Sequence, residues 1–354
     1  MQEMPSHSNP PGQMLNPKIL TLTEYLKKSG YSTFSSAPLW SAQLNFTRGL
    51  DRGFGFLTGR LIDQVETPEN KEALRRILET ASARAPAFLF FYAWGGHDPY
   101  RPAPPFDRLF TPGKKKKTIQ TEMEVYRMLF ELRSKETKAK PVAKRGDPER
   151  DLYFKQFNLK RKSDVDQLTG LYDGGLRTLD GKLKILFELL KETGLYDHSI
   201  IIITADHGES LGDHGLFLHS TPYENEIHVP LIMKIPGMPP AAIHGLARSI
   251  DVLPTVLELL GLDGNAGIEG TSLVSRLKGA GNLPESSYAL GMASESLRSG
   301  FWKLIVWNER KELYRLDLDP LEKHDLAAEK PEKVIELSAA LAAYKAGHAG
   351  KRHD

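Results

Sequence analysis

Three runs in this chain are apolar at nearly every position yet too short for helices: AFLFFYAW (87–94), SIIIIT (199–204) and VPLIMKIPG (229–237). A strand wetted on one face alternates apolar and polar residues, so an unbroken apolar run marks a strand covered on both faces. Helical patterns precede the first two runs. NKEALRRILETASAR (70–84) sets Ala73, Leu74, Ile77 and Leu78 at helical spacing, and Pro86 stops it. A longer helix is predicted from Asp164 to about Thr193. Its buried stripe is Leu168, Leu171, Tyr172, Leu176, Leu179, Leu183, Leu186 and Leu190, and Gly194 is its C′ residue. Strands alternating with helices up to about residue 262 predict an α/β fold, a mainly parallel sheet flanked by helices.

The ends of the chain read differently. TLTEYLKKSGYSTF forms a short helix with Leu22, Tyr25 and Leu26 on one face, closed by Gly30 before a strand from Tyr31. RSIDVLPTVLELLGL (248–262) starts a helix, with Asp251 near its N-cap and Pro254 in its first turn. GFWKLIVWNERKELYRLD (300–317) predicts a hairpin, followed by a helix at about 331–346. Two units are expected. Residues 1–280 form the α/β domain, N-terminally incomplete, with a polar insert at about 111–163 carrying some helix around 120–134. Residues 281–354 form a small C-terminal antiparallel subdomain of hairpin plus helix.

Several function classes fall away. A net charge of +2 does not argue for nucleic acid, and GKKKK (113–117) reads as a solvated loop. No apolar run approaches the ~18 residues a membrane span needs, so no membrane partner is expected. MQEMPSHSNPPGQMLNPK lacks the apolar core of a signal peptide, which leaves the compartment open with the cytoplasm favoured. The chain has 0 cysteines, which removes disulfides, thiolate zinc sites and a cysteine nucleophile. Oligomeric state is not legible.

In open α/β sheets ligands sit outside the carboxyl ends of the strands. There the apolar runs deliver His97 and Asp98, then Asp206 and His207, and on this reading Lys234. Carboxylate, imidazole and ammonium facing one crevice suit a divalent cation and an anionic substrate. Taken singly, each residue has a plainer role: Asp206–His207 as a turn, Lys234 lying along a strand end, His97 capping its loop, His214 as a structural residue. A zinc site from His207, His214 and His219 matches no helical zinc spacing.

Together, IIIITADHGESLGDHGLFLHSTPYENEIHVPLIMKIPG (200–237) resembles the sulfatase signature of the alkaline-phosphatase superfamily. LTGLYDGGLRTLDGKLKILFELLKETGLYDHS is similar to the helix those enzymes place before that strand. FLFFYAWGGHDPYRPAPPF resembles their strand and His-x-Pro loop, and RSIDVLPTVLELLGL a segment further on. KLIVWNERKELYRLDLDPLEKHDLA resembles their C-terminal hairpin, with Arg315 where Asp is usual. The resemblance implies a metal-dependent hydrolase of sulfate esters acting on an anionic sulfated small molecule or glycan. It places Asp206 and His207 on a divalent cation, calcium first and magnesium second. It makes His97 a candidate general acid, sets Lys234 and His219 against the substrate, and gives Glu209 a supporting role. A phosphodiesterase or phosphonate monoester hydrolase of the same superfamily is the alternative, and a non-catalytic remnant or binding subunit is the third reading.

The resemblance has a gap. Sulfatases carry a nucleophile in a C/S-x-P-x-R motif, oxidised to formylglycine. Both Ser-x-Pro runs here, SNPPG (8–12) and SAPLW (36–40), lack the arginine, so formylglycine is not expected in this chain. Nor does any strand before Thr21 supply the two further acidic ligands of the family. The expectation is a chain that starts downstream of the nucleophile.

Overall fold

The computed structural model of the chain describes residues 15–16, 18–36, 51–58, 61–84, 86–98, 100, 102–111, 154, 157–264, 267–282, 284–291, 293–308 and 310–349. Helix α1 (Leu22–Lys28) opens with a capping box in which Thr21 and Glu24 satisfy each other's backbone N–H groups. Strand β1 (Ser32–Ser36) lies between β2 (Phe56–Thr58) and β3 (Ala87–Phe91) in a parallel sheet of order β2-β1-β3. Phe34 is in register with Phe56 on one side and Leu89 on the other. Helix α2 (Pro68–Ala83) starts on a Thr67 cap with Pro at its first position, where the missing N–H removes no helical bond.

The long helix α3 (Lys162–Glu192) packs beside α2. Leu74 and Leu78 of α2 meet Leu186, Leu189 and Leu190 of α3, and Leu89 and Phe91 of β3 pack on the same cluster. The stripe expected along α3 is buried at Leu168, Leu171, Leu186 and Leu190, but Leu176 is 40% exposed. At that level the helix faces the turn after β3, and Leu176 lies over Gly96 instead of entering the core.

Strand β4 (Ile201–Thr204) pairs with β7 (Leu231–Lys234) in antiparallel fashion. Between them run the hairpin strands β5 (Ser210–Leu211) and β6 (Phe217–Leu218) and one turn of helix α4 (Glu224–Ile227). A parallel return needs a crossover, usually a long helix. Here the connection is spent on the hairpin and a four-residue helix, so β7 comes back in the opposite sense. Helices α5 (Val252–Leu259) and α6 (Val274–Leu277) follow.

The predicted C-terminal hairpin, β10 (Trp302–Trp307) with β11 (Arg310–Arg315), is half of a four-stranded antiparallel sheet of order β11-β10-β9-β8. Strands β8 (Ser286–Leu290) and β9 (Glu295–Ser299) complete it. Helix α7 (Pro331–Ala349) closes it, with Leu337 and Leu341 set against Leu297, Leu304 and Leu313. The fold is therefore α/β, with a parallel sheet between helices and a small antiparallel C-terminal sheet. The segment before residue 15, GKKKK and the helix expected around 120–134 lie outside the described residues.

Candidate functional site

The chain leaves β3 at Phe91 and turns back over α3. Trp94 N–H donates to Asp63 Oδ1 at 2.9 Å, and His97 N–H donates to the Trp94 carbonyl at 3.1 Å. The turn can lie this close to the helix because residue 175 is glycine: a Cβ there would stand 2.4 Å from Gly95 O. Thr178 Oγ1 accepts from Ala103 N–H at 3.0 Å and anchors the far side of the loop. The loop thus carries His97 and Asp98 on a rigid support, and the Trp94 indole lies 4.2 Å from the His97 ring.

A second loop leaves β4 at Thr204 and carries Asp206 and His207. It crosses the start of α4, where Gly208 N–H donates to Glu226 O at 2.6 Å and Glu209 N–H to Asn225 O at 3.1 Å. A Cβ on Gly208 would meet Asn225 O at 2.2 Å, so no side chain fits this crossing. The β5–β6 hairpin then returns the chain to His219. Leu218, just before it, sits at φ +69°, a conformation a non-glycine residue holds only when its surroundings impose it.

Three imidazoles from these segments meet. The rings of His207 and His219 stack at 3.7 Å, 20° from parallel. His97 stands edge-on to both, at 6.0 Å from His207 and 5.1 Å from His219. One ring nitrogen from each lies within 4.8 Å of the others. In all three, Nδ1 faces an oxygen acceptor. His97 Nδ1 meets the Asp98 carbonyl at 2.6 Å and Asp98 Oδ1 at 3.2 Å. His207 Nδ1 meets the Gly208 carbonyl at 2.8 Å, and His219 Nδ1 meets Glu209 Oε1 at 3.4 Å. Carbonyl and carboxylate oxygens only accept, so each Nδ1 carries the proton. Nε2 is then the nitrogen that can ligate a metal or exchange a proton.

Asp98 and Glu209 have side chains only 1% and 2% exposed. Both lie close to His219, with one ligand atom from each of the three within 4.8 Å of the others. The charge of Glu209 reaches Tyr172: burial raises its phenol pKa, and the negative charges of Glu209 and Asp173 push it further up. Asp206 is the outermost member. Its side chain is 53% exposed, with Oδ2 3.8 Å from His207 Nε2.

The family resemblance implies a divalent cation. Asp206 Oδ2 and His207 Nε2 offer one hard oxygen and one imidazole nitrogen at a separation an ion could bridge. The pair fits a divalent cation that accepts nitrogen. Calcium takes six to eight oxygens, whereas this pair offers one carboxylate and one imidazole nitrogen. The stacking of His207 on His219 keeps their in-plane lone pairs nearly parallel, so the three histidines do not aim at one ion.

One sequence-based expectation is corrected. Lys234 does not reach this crevice. Because β7 runs antiparallel to β4, Lys234 is in register with Ile201, at the start of β4, while Thr204 at its site end pairs with Leu231. Lys234 Nζ instead donates to the carbonyls of Tyr196, Asp197 (2.9 Å) and Ser199 (3.2 Å). His214, read from the sequence as a structural residue, stands apart from His207 and His219. It stacks on Tyr223 at 3.8 Å and 3° from parallel, and burial lowers its pKa.

The sequence reading brought Asp98 to the crevice without a specific role, and gave none to Trp94 or Glu226. An acid beside His97 in a Gly-Pro loop was a usable signal for Asp98. Nothing local marks Glu226, whose importance lies in contacts to residues 208–221. Of the two Ser-x-Pro runs, only Ser36 is among the described residues.

A family model described as sulfatase matches residues 2–262, and one described as the C-terminal part of N-sulphoglucosamine sulphohydrolase matches residues 212–345. The chain is 30% identical over 186 residues to choline-sulfatase of Rhizobium meliloti (strain 1021), a match covering 49% of this chain and 35% of that protein. Matches to three curated relatives, this one included, span 23–37% of their length. Among solved structures, BT4656 in complex with its substrate D-glucosamine-2-N,6-O-disulfate superimposes with a TM-score of 0.68 at 19% identity, over 99% of this chain and 86% of that one. The phosphonate monoester hydrolase of Agrobacterium radiobacter gives 0.69 at 18% identity, over 95% and 82%. At these identities the two structures speak for the fold alone.

Proposed function

This chain belongs to the sulfatase family, and on that footing we propose that its histidine cluster serves metal-dependent hydrolysis of a sulfate ester. The observation that carries the reading is the convergence of His97, His207 and His219, each with Nδ1 held by an oxygen acceptor. Asp206 and His207 are the residues to hold a divalent cation. Calcium is the ion the family resemblance implies and magnesium the second; the nitrogen donor favours an ion less strict for oxygen than calcium. A bound cation would draw charge from the sulfuryl oxygens as the ester bond breaks.

The chain's own side chains supply binding and proton transfer around the ester; none of them is assigned as the nucleophile that attacks sulfur, because both Ser-x-Pro runs lack the arginine of the family motif. His219 Nε2–H donates to an anionic oxygen, and Glu209 behind it stabilises the charged ring. His97 is placed to deliver a proton from Nε2 to the leaving-group oxygen, with Asp98 holding its other nitrogen. Lys234 has no part. The substrate class is an anionic sulfated small molecule or glycan, in keeping with relatives such as choline-sulfatase and the disulfated glucosamine complex. The site belongs to an α/β unit of residues 1–280, with residues 281–354 as its C-terminal subdomain.

The test is a direct comparison. Protein stripped with chelator is reloaded with calcium or magnesium and given an aryl sulfate, an aryl phosphonate monoester and an aryl phosphodiester. Metal-dependent release of the aryl alcohol, fastest from the sulfate, is expected. Faster turnover of the phosphonate or diester would move the chain to the phosphonate-hydrolase branch. No turnover together with metal-dependent binding of inorganic sulfate would favour a binding role or a nucleophile supplied by another segment.

A further inference from the structure

We propose that Glu226 is a positioning residue that fixes the spacing of His207 and His219. The inference rests on the reading of those two histidines as site residues and extends it to a group that touches neither of them. Glu226 is 2% exposed. Oε1 accepts from Ser210 Oγ at 2.6 Å and Thr221 Oγ1 at 2.8 Å. Oε2 accepts from the backbone N–H of Ser220, the residue after His219, and of Thr221 at 2.6 Å. Its carbonyl accepts from Gly208 N–H, the residue after His207, at 2.6 Å.

One residue therefore clamps the backbone next to both stacked imidazoles and holds the hairpin strand between them. The clamp is buried and charged, so its hydrogen bonds are of the stronger kind. It also gives a reason for the positive φ of Leu218: the chain must turn sharply there to place His219 over His207 while Ser220 and Thr221 reach the carboxylate. Glu226 acts through the histidines, so it is distinct from Asp98 and Glu209, which sit directly behind imidazole nitrogens.

The test compares Glu226→Ala and Glu226→Gln in the full chain by three measurements. These are the ring-to-ring nuclear Overhauser effect between His207 and His219 in histidine-labelled protein, the dissociation constant for inorganic sulfate by calorimetry, and the kcat and KM for an aryl sulfate. Glu226→Gln keeps an acceptor for the two backbone N–H groups, and its amide can donate to the hydroxyls of Ser210 and Thr221. Glu226→Ala should abolish the ring contact, weaken sulfate binding by about tenfold or more and lower kcat more than it raises KM. Glu226→Gln should restore the ring contact and bring sulfate binding back to within about threefold of wild type. A folded Glu226→Ala protein that keeps the ring contact and wild-type sulfate affinity would overturn the proposal. If that variant does not fold, Ser210→Ala and Thr221→Val each remove one Oε1 donor. Weakened sulfate binding in both supports the clamp, and unchanged binding in both refutes it. Should the wild type neither bind sulfate nor turn over the ester, the proposed function falls, while the ring contact still decides whether Glu226 sets the spacing.

Discussion

The imidazoles of His207 and His219 lie face to face at 3.7 Å, although they belong to opposite ends of the β5–β6 hairpin. Two charges at that distance repel by several kcal/mol at the effective dielectric of a protein surface. With Nδ1 of each ring already facing an acceptor, a second proton on both rings at once is disfavoured. On the proposed function, a cation held by His207 would keep that ring neutral and leave His219 as the donor to an anionic oxygen.

Removing that donor is the first expected loss. His219→Gln keeps a hydrogen-bonding side chain of similar reach but cannot carry charge. It should lower kcat on an aryl sulfate by about 10² or more, the usual cost of one electrostatic stabiliser. KM should change far less. Steady-state kinetics at fixed metal check this, and a variant within threefold of wild type would remove His219 from the site.

Asp98 offers a second test, since its carboxylate lies 3.2 Å from His97 Nδ1 in a position 1% exposed. Asp98→Asn preserves shape and removes the charge that steadies a protonated His97 ring. If His97 is the general acid, the variant should lose at least tenfold in kcat on an aryl ester with a poor leaving group. A sulfate ester whose leaving group needs no proton should be nearly insensitive. Equal losses on both substrates would show that Asp98 supports structure and not proton delivery.

The contrast between Lys234 and these residues shows what was legible in the sequence. Apolar runs and helical spacing located β3, β4, β7, α2 and α3, although the three strands are only half-buried and not covered on both faces by the described residues, with Phe90 36% and Ile232 59% exposed. The sense of β7 left no trace in the sequence. Its direction depends on how the intervening residues fold into a hairpin and one helical turn, and that decided whether Lys234 or Leu231 met the site. Strands β8 and β9 were missed because SSYAL buries only Tyr288 and ESLRS only Ser296 and Leu297, so neither carries a strong apolar run. His97, Asp206, His207 and His219 were readable as motif residues. Glu226 was not, because its partners Ser210, Ser220 and Thr221 become neighbours only when the hairpin closes.

Lys234 should matter for stability alone. Its ammonium closes the turn before β4 by donating to three carbonyls, and it lies 4.9 Å over the Tyr196 ring. Lys234→Met keeps the stem and deletes the donors. It should cost about 1–3 kcal/mol in urea denaturation, the range for stranded acceptors and charged hydrogen bonds. Aryl-sulfate kinetics of the folded variant should stay within about twofold of wild type, because the nitrogen sits at the opposite end of β4. A large kcat defect in a stable variant would return Lys234 to the site.

The C-terminal sheet holds the site's loop from beneath, and this support should fail on mild acidification. Tyr223, just before α4, donates its hydroxyl to Glu312 Oε2 at 2.7 Å, and His214 stacks on the other part of its ring. Burial lowers the His214 pKa, with Glu312 and Asp213 opposing the shift. The folded protein thus prefers the neutral ring. A histidine with a depressed folded pKa binds fewer protons than its unfolded counterpart, so stability rises with pH across the window. Its contribution is full above the unfolded value of about 6.5 and is lost as pH falls through the lower folded value. His214→Asn tolerates the left-handed backbone at φ +52° and removes the titration. Urea midpoints at pH 7.5 and 5.5 should fall less in the variant than in the wild type. An identical fall in both would mean that His214 is not the group that senses acid here.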